Sequence, residues 1–434
     1  MNKNMKAYPN YSLRRAREIQ GWTQQQVADW IEAPHSFYIS RWENGIAFPN
    51  GYYRQKLSKL FEKSLEELGL LREESTIRGI RVVRERYSGV YPLWNEENAQ
   101  FEDFHGRDKE LTVLQQWLVT ERCRIITLLG VKGIGKSSLA TVLVKRVKTD
   151  FEAFFQYPLQ YKPPLRCFLQ DFLKNCSCQA PFDLPDDTEE LLSIFLSYVR
   201  EHRYLFVFDN IEAILQTRSY AGYYQPEYEE YGKLFRIIGE NKHESCLLLL
   251  SCEELQEIAI LERSILPIRS LQLKGLEDAT GRKILLNDGV SNAQQAWDTL
   301  VHYYAGNPLA LKLVSQLIQE VFGGDGIAFL QEKTIIFSDI RYIFNQQFER
   351  LSNLEQEIVY WLAIEDRAVT LLDLQRAFTP QIAKQEVLDI LRSLQRRYFI
   401  ETSGTNFKLQ SLLQEYVTDR LIRKDRISGS ASMD

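Results

Sequence analysis

The sequence predicts a multidomain protein with an all-α head, an α/β domain on a parallel sheet, a helical subdomain and a last unit of helices with a small β-wing. Short amphipathic helices crowd residues 12–69, and apolar strands alternate with helices in residues 101–268. Residues 276–422 are helix-rich apart from a break at Gly323-Gly324 and two short strands, predicted at residues 396–400 and 407–409. At 434 residues the chain is long enough for two to four domains, each with its own core.

The boundaries follow changes in periodicity and composition. The amphipathic pattern fades after the head, and the chain ends in the small, polar stretch SGSASMD, which favours disorder. The predicted parts are a head at residues 1–72, a linker at 73–100, the α/β domain at 101–268, the helical subdomain at 269–335, the helix-and-wing unit at 336–424 and a disordered tail at 425–434.

Composition excludes several classes of protein. The chain is 44% hydrophobic and 26% charged, as in an ordinary soluble protein. No apolar run reaches the ~18 residues of a membrane span and no secretory signal is visible, so we expect a cytoplasmic protein without a membrane partner. The net charge is −5, yet residues 1–91 hold 15 Lys+Arg against 10 Asp+Glu. This basic head favours a polyanionic partner, although a solvated surface gives the same balance.

The head reads as four or five short helices. Leu13 and Ala16 lie at helical spacing behind Ser12, the expected N-cap, and Gly21 ends that helix. Thr23 is expected to cap the second helix. Helices this short and close together indicate a compact all-α domain.

The head contains the blocks Leu13-Arg14, Gly21-Trp22-Thr23-Gln24, Val27-Ala28 and Ser40-Arg41-Trp42-Glu43-Asn44-Gly45, followed by Pro49. With these residues the head resembles the phage-repressor-type helix-turn-helix family, often called XRE. The resemblance implies that the third helix enters the major groove of double-stranded DNA and that self-association controls DNA occupancy. The residues that it places at DNA are Gln24 at the backbone and His35, Ser36, Phe37, Tyr38 and Arg41 at base edges.

Some of these residues have other readings. Arg41 could instead pair with an acid inside the fold. Phe37 and Tyr38 stand where the family often has small polar residues, so they could form a protein-docking face. Trp42 is expected in the core.

A glycine-rich loop predicts a phosphate site. The loop fits G-x-x-x-x-G-K-[ST] between an apolar strand at residues 125–129 and a helix. Its backbone amides can wrap phosphate oxygens, while Lys136 should reach the β- and γ-phosphates and Ser137 should bind Mg²⁺. The predicted phosphate-binding residues are Gly130, Gly133, Gly135, Lys136, Ser137 and Ser138.

Two later strands should end beside this loop. Asp209 follows the apolar run 205–208 and is expected to hold Mg²⁺ together with Ser137. The run 246–250 leads into Ser251-Cys252-Glu253-Glu254. In parallel sheets, ligands bind at the carboxyl ends of the strands.

Together these motifs resemble the NB-ARC module of the STAND class of signal-transducing ATPases. The resemblance covers residues 101–422. It implies ATP or ADP with Mg²⁺ as the ligand, a helical ARC subdomain, and a winged helix that clamps the nucleotide. Arg107 and Pro308 then lie near the nucleotide, and Gln410 takes the place of a histidine that contacts the β-phosphate of ADP. The carriers are Phe104-His105-Gly106-Arg107-Asp108, the phosphate loop, FVFDN, LLLLSCEE, LQLKGLED and Gly306-Asn307-Pro308-Leu309-Ala310-Leu311.

Three positions depart from the family pattern. Asn210 replaces a second acid, Cys252 replaces a sensor arginine, and Gln410 replaces the histidine. An amide cannot accept a proton from water, and a neutral thiol cannot stabilise phosphate charge as a guanidinium does. These changes weaken hydrolysis more than binding.

Substitutes for the missing groups are conceivable. Glu212 could act as the base, which makes Asp209 and Glu212 the predicted catalytic residues. Arg263 or Arg269 could supply the cation, although nothing in the sequence places them at the site.

The sequence therefore predicts a nucleotide-gated switch with slow or absent hydrolysis that binds DNA in a transcriptional or signalling role. It is expected to be closed with ADP and to self-associate with ATP. One alternative is a DNA-associated ATPase of a transposition or defence system. Another is an interaction scaffold whose head docks protein. No repeat of 20–50 residues is visible, so either a C-terminal sensor has been truncated or a separate sensor protein is a further partner.

Overall fold

The computed structural model describes two compact units, one within residues 1–79 and one within residues 80–434. Among the described residues, no helix is long and apolar enough to cross a membrane. The described residues are 10–31, 33, 36–43, 49, 51–61, 63, 64, 68, 70, 81, 82, 104–176, 185, 187–291, 294–333, 335–378 and 382–430.

The first unit is a small helical bundle, as predicted. Thr23 caps α2 with a reciprocal bond to Gln26, which confirms the predicted start of that helix. The prediction that Ser12 caps α1 was wrong, because the Asn10 side chain accepts the Leu13 amide at 3.0 Å. The helices are α1 (Tyr11–Ile19), α2 (Gln24–Trp30), α3 (Phe37–Glu43) and α4 (Gly51–Phe61).

The buried carboxylate of Glu43 connects three helices of the head. Glu43 is only 2% exposed, and its carboxylate accepts bonds from Arg17 at 2.6 and 2.9 Å. Trp42 is buried with Leu13 and Val27, which confirms its predicted place in the core. The polar cluster and the core both join α1, α2 and α3.

The second unit begins with a six-stranded sheet in the order β1-β3-β4-β5-β2-β6. All of its strands are parallel except β1, which runs antiparallel to β3. Strands β2 and β5 are buried along their whole length, as expected for a parallel sheet covered on both faces. The strands are β1 (Arg81–Val82), β2 (Ile125–Leu129), β3 (Ala153–Pro158), β4 (Tyr204–Asp209), β5 (Cys246–Ser251) and β6 (Ile268–Gln272).

Helices cover both faces of this sheet. Alternate residues of β4 point to opposite sides: Phe206 and Phe208 pack with α7, α8 and α9, whereas Leu205 and Val207 pack with α5 and α6. The helices are α5 (Asp108–Gln115), α6 (Lys136–Arg146), α7 (Leu165–Cys176), α8 (Thr188–Glu201), α9 (Glu229–Glu240) and the short α10 (Gln256–Leu261).

Two strands of the sheet do not respect the predicted domain boundaries. Arg81–Val82 lie in the predicted linker but pair with β3 as an edge strand. The predicted boundary between residues 268 and 269 divides β6, which pairs with β2 along its length. Strand β6 is only partly buried, so its apolar signal is weak and the sequence did not reveal that it belongs to the sheet.

A helical region follows, as predicted. The predicted break at Gly323-Gly324 is confirmed, because both glycines have a positive φ at the end of α13. The helices are α11 (Asp278–Asn287), α12 (Gln294–Tyr303), α13 (Pro308–Phe322) and α14 (Gly326–Gln331).

We call residues 336–430 the C-terminal region. Its helices share one apolar core with α11–α14, and its three short strands form an antiparallel sheet in the order β7-β9-β8. The elements are α15 (Ser338–Phe348), α16 (Asn353–Glu365), β7 (Val369–Thr370), α17 (Leu371–Phe378), α18 (Lys384–Arg396), β8 (Ile400–Ser403), β9 (Asn406–Leu409) and α19 (Ser411–Ser430).

Two local predictions in this region were wrong. The first wing strand was predicted from Arg396, but that residue ends α18 and the strand begins at Ile400. The tail was predicted to be disordered from residue 425, whereas α19 continues to Ser430. The last turns of α19 follow the i,i+4 ion pair of Arg423 with Asp419, which supports helix in a polar sequence.

Candidate nucleotide-binding site

The glycine-rich loop joins the end of β2 to the start of α6 at the carboxyl edge of the sheet. Gly133 has φ +83°, and a Cβ at that position would lie 2.8 Å from both Leu309 Cβ and Asn307 Oδ1. Gly130 has φ +149°, and its Cβ would lie 2.9 Å from the Leu273 carbonyl oxygen. The loop therefore needs glycine both for its backbone shape and for the close approach of α13 and the end of β6.

Lys136 points back into this loop. Its Nζ donates to the carbonyl oxygens of Gly130 at 2.7 Å and Val131 at 3.2 Å, and it lies 3.2 Å from Cys252 Sγ. The residue is 9% exposed. A buried ammonium with these uncharged partners gains a stronger bond from an anion, so the geometry suits a phosphate.

The predicted metal pair is assembled. Ser137 Oγ donates to Asp209 Oδ2 at 2.8 Å, and Asp209 Oδ1 accepts the amide of Asn210 at 2.8 Å. Burial raises the pKa of Asp209 above its usual value. A hydroxyl beside a carboxylate is the protein share of a Mg²⁺ site whose other ligands are phosphate oxygens and water, so these two residues fit the cation.

Cys252, which the resemblance places at the position of a sensor arginine, lies next to Lys136. Burial, followed by the nearby Glu212 carboxylate, raises the pKa of Cys252 to about 12, so the thiol is neutral at pH 7. The Cys252 amide donates to Glu212 Oε2 at 3.1 Å, which holds that carboxylate at the site. Arg269 is bound to the Leu266 and Ile268 carbonyls, and neither it nor Arg263 lines the cavity described next.

These groups open into a cavity of about 740 Å³, large enough for a nucleotide. Its lining includes the phosphate loop, the ends of β4 and β5, and the side of the chain that holds Phe104, His105 and Leu276. The predicted residues that line it are Arg107, Gly133, Gly135, Lys136, Ser137, Ser138, Asp209, Glu212 and Pro308.

Gln410 and Gly130 line a second cavity of about 520 Å³ behind the loop. The Gln410 amide donates to the Phe399 carbonyl at 3.1 Å, which fixes the turn between β9 and α19 there. The resemblance placed Gln410 at the β-phosphate, and the structure does not bring it into the first cavity. Its position depends on how the C-terminal region packs, which no local motif encodes.

Arg107 is hydrogen-bonded to the phosphate loop. One guanidinium nitrogen donates to the carbonyls of Ile134 at 3.1 Å and Lys274 at 2.6 Å, and another donates to Glu110 at 2.8 Å. Arg107 is 8% exposed and has a positive φ of 71° at the start of α5. It thus joins the loop to the segment after β6 and also lines the cavity.

Sequence reasoning missed the clamp at the start of α13. Asn307 Nδ2 donates to the Lys132 carbonyl at 3.0 Å, and its Oδ1 accepts the amides of Leu309 and Ala310 at 3.1 Å. The Leu309 amide also reaches the Gly133 carbonyl at 3.3 Å. The same asparagine therefore caps the helix and holds the phosphate loop. Its signal was the residue before Pro308, because helix N-caps favour Asn.

The predicted DNA-contact residues lie in the other unit. Gln24 Nε2 donates to Glu43 Oε2 at 2.8 Å, so its amide belongs to the internal polar cluster of the head. The Ser36 carbonyl accepts the Ser40 amide at the start of α3. His35 and the side chains of Phe37, Tyr38 and Arg41 lie outside the described residues.

Comparison with known proteins agrees with this geometry. The family model of the NB-ARC domain matches residues 107–220. That segment contains the phosphate loop, the Ser137–Asp209 pair and Glu212. Residues 107–220 are therefore similar to an NB-ARC domain.

A curated relative extends the similarity. An uncharacterized WD repeat-containing protein of Nostoc sp. is 34% identical over 447 residues, which cover 95% of this chain and 35% of that protein. The chain thus spans about a third of the relative's length.

Two solved structures are more distant. The Walker-type ATPase of Pyrococcus abyssi shares 15% identity at a TM-score of 0.47, over 73% of this chain and 97% of that chain. A STAND protein with a tetratricopeptide repeat sensor from Pyrococcus horikoshii shares 14% identity at 0.38, over 72% of this chain and 42% of that chain. Likeness at this level says nothing of mechanism.

Proposed function

We propose that this protein is a STAND-class switch that holds ADP or ATP with Mg²⁺, hydrolyses it slowly or not at all, and binds DNA through its head. One observation carries the proposal. The groups proposed to bind phosphate and Mg²⁺ lie together, whereas the neutral thiol of Cys252 lies 3.2 Å from Lys136 where the resemblance places an arginine.

The phosphate loop, Lys136 and the helix dipole of α6 would hold the β-phosphate, and Ser137 with Asp209 would hold Mg²⁺. Mg²⁺, when bound, neutralises charge on the phosphate oxygens. Glu212 is the carboxylate in reach of the cavity that could orient water, and Asn210 cannot accept its proton. Without a guanidinium at position 252, the charge that develops on the leaving phosphate is poorly stabilised, because an arginine there is worth about 10³-fold or more in rate.

The purified full chain tests this part directly. After denaturation in acid, the released nucleotide is identified by chromatography. About one ADP or ATP per chain supports a holding switch, and Lys136→Ala should carry none. If the chain without substitutions releases no nucleotide and also fails to bind added ADP or ATP, nucleotide gating is refuted.

The C-terminal region is proposed to act as a winged helix that clamps the nucleotide domain and does not bind DNA. The support is its order of helices followed by the β8–β9 hairpin, with β7 beside β9. ATP is proposed to release this clamp and allow self-association, and a separate sensor protein is proposed to trigger exchange. Paired heads would then bind DNA more tightly through effective concentration.

DNA binding by the head is supported by the helical bundle, the predicted order of its elements and the basic charge of residues 1–91. The test is the affinity of the full chain for mixed genomic DNA fragments at low salt, before and after Arg41→Ala. A loss of about tenfold supports a base or phosphate contact. Equal affinity for both chains would favour the protein-docking scaffold.

A DNA-associated ATPase of a transposition or defence system is the second candidate. The observation that favours it is Glu212, whose carboxylate lies in the cavity and is held by the Cys252 amide. This candidate requires sustained hydrolysis that Glu212→Gln abolishes.

A further inference from the structure

One lysine of the phosphate loop has a side chain that the site described above does not use. Lys132 lies between the motif glycines Gly130 and Gly135, at a position where the motif sets no residue type. Its backbone is held in place, because its carbonyl accepts the Asn307 side chain at 3.0 Å. The loop therefore carries a second ammonium group besides that of Lys136.

The side chain of Lys132 lies where two cavities meet. A third cavity, of about 390 Å³, adjoins the nucleotide cavity, and the two share the wall residues Lys132, Glu212 and Cys252. Other residues of the third cavity come from the C-terminal region, including Gln346 and Phe399. Lys132 is half-buried at this shared wall.

The shared wall lies at the end of the site where a third phosphate would lie. Lys136, which in this motif reaches the β- and γ-phosphates, has its Nζ 3.2 Å from Cys252 Sγ. The Cys252 amide donates to Glu212 Oε2 at 3.1 Å, so both residues lie near the ammonium group of Lys136. A diphosphate ends beside Lys136 and the loop amides, whereas a triphosphate extends further, toward this wall.

The ammonium group of Lys132 can bind an anion there. Its Nζ donates to Gln346 Oε1 on α15, which is a neutral amide. Among the described residues, Lys132 forms no ion pair with a carboxylate. An ammonium has three N–H donors, so it can donate to a phosphate oxygen while its bond to Gln346 stays. Such a bond is charge-assisted and about twice as strong as a neutral one.

We propose that Lys132 is a second cation for the terminal phosphate, and that it raises the affinity of the site for a nucleoside triphosphate and not for a diphosphate. This inference rests on the proposed function. A diphosphate lacks the phosphate that meets Lys132, so it gains nothing from this side chain. One residue of the loop thereby sets the preference between the two nucleotides.

The same contact leaves hydrolysis slow. A bond that is equally strong in bound ATP and in the transition state tightens binding without raising the rate. An ammonium is a single point charge, whereas the guanidinium that the resemblance places at position 252 has a planar fork that can bond two phosphate oxygens. Lys132 and the neutral thiol of Cys252 on the same wall therefore favour holding ATP over hydrolysing it.

The test compares two nucleotides in one substituted chain. Lys132→Gln keeps a polar side chain and the backbone bond to Asn307 but removes the charge. Isothermal titration calorimetry on the full chain with Mg²⁺ measures Kd for ADP and for ATPγS, a slowly hydrolysed analogue of ATP. We expect Kd for ATPγS to rise about tenfold, since one charge-assisted bond is lost, and Kd for ADP to change by less than about twofold.

Further variants separate the charge of Lys132 from its effect on the loop. Lys132→Arg keeps the charge and should retain most of the affinity for ATPγS. Lys109→Gln removes an equal charge from α5, where Lys109 pairs with Glu277 on the surface outside both cavities, and it should leave both Kd values unchanged. If Lys132→Gln does not fold, Lys132→Met is measured in its place, with the same expectation.

Three results would overturn the inference. An equal rise of both Kd values in Lys132→Gln would mean that the residue only shapes the loop. An unchanged Kd for ATPγS would mean that its charge does not reach the phosphate, and an equal loss of ATPγS affinity in Lys109→Gln would indicate a general effect of charge. Failure of the proposed function is a different result, in which the chain without substitutions binds neither nucleotide, and it overturns this inference as well.

Discussion

Asn307 is predicted to hold the phosphate loop in its binding shape, and one substitution separates that role from its role as a helix cap. Asn307→Ala removes the cap of α13 and the bond from Nδ2 to the Lys132 carbonyl. Loss of a cap costs about 1 kcal/mol, and loss of a neutral hydrogen bond costs about another 1 kcal/mol. We expect the free energy of unfolding to fall by about 2 kcal/mol.

Only the loss of the bond to the Lys132 carbonyl should weaken nucleotide binding. The loop carbonyl that loses its donor belongs to the residue before Gly133, so the loop amides become less ordered before binding. Kd for ADP should rise about fivefold, the equivalent of about 1 kcal/mol. Isothermal titration calorimetry on the full chain measures this change.

Asp325→Ala is the matched control. Asp325 caps α14 by accepting the amides of Ile327 and Ala328, and it does not line the nucleotide cavity. It should lose about 1 kcal/mol of stability with an unchanged Kd. An unchanged Kd for Asn307→Ala, or an equal rise for Asp325→Ala, would refute the reasoning.

The remaining predictions concern the two units separately. Lys136→Ala should weaken ADP binding by about 3 kcal/mol, measured by calorimetry, since a charge-assisted bond is lost. Because the pKa of Cys252 is about 12, its thiol should resist iodoacetamide from pH 7 to pH 9 in the folded chain; rapid labelling in that range, read by mass spectrometry, would contradict its burial. Glu43→Gln should destabilise the head by about 3 kcal/mol because Arg17 loses a buried partner, whereas Glu18→Gln at an exposed pair should change little in urea unfolding.

The sequence predicted those parts of the site that local spacing encodes. The phosphate loop, the Ser137–Asp209 pair and strands β2, β4 and β5 follow from short motifs, because a strand, a glycine turn and a helix N-terminus are each defined within a few residues.

Long-range contacts were beyond that reasoning. Arg107 was predicted near the nucleotide and lines the cavity, but its bonds to Ile134 and Lys274, which depend on how β6 pairs with β2, were not predicted. The clamp by Asn307 and the position of Gln410 likewise depend on packing between regions far apart in the chain. Single-sequence patterns carry little information about such contacts.

The fate of added ATP tests the central claim most directly. The full chain is incubated with radiolabelled ATP and Mg²⁺, and both bound nucleotide and released phosphate are followed beside Lys136→Ala. The account predicts about one bound nucleotide per chain and phosphate release that barely exceeds the Lys136→Ala background. Steady turnover of about 1 s⁻¹ or faster, the range of working phosphoryl-transfer enzymes, would contradict it and favour the ATPase candidate.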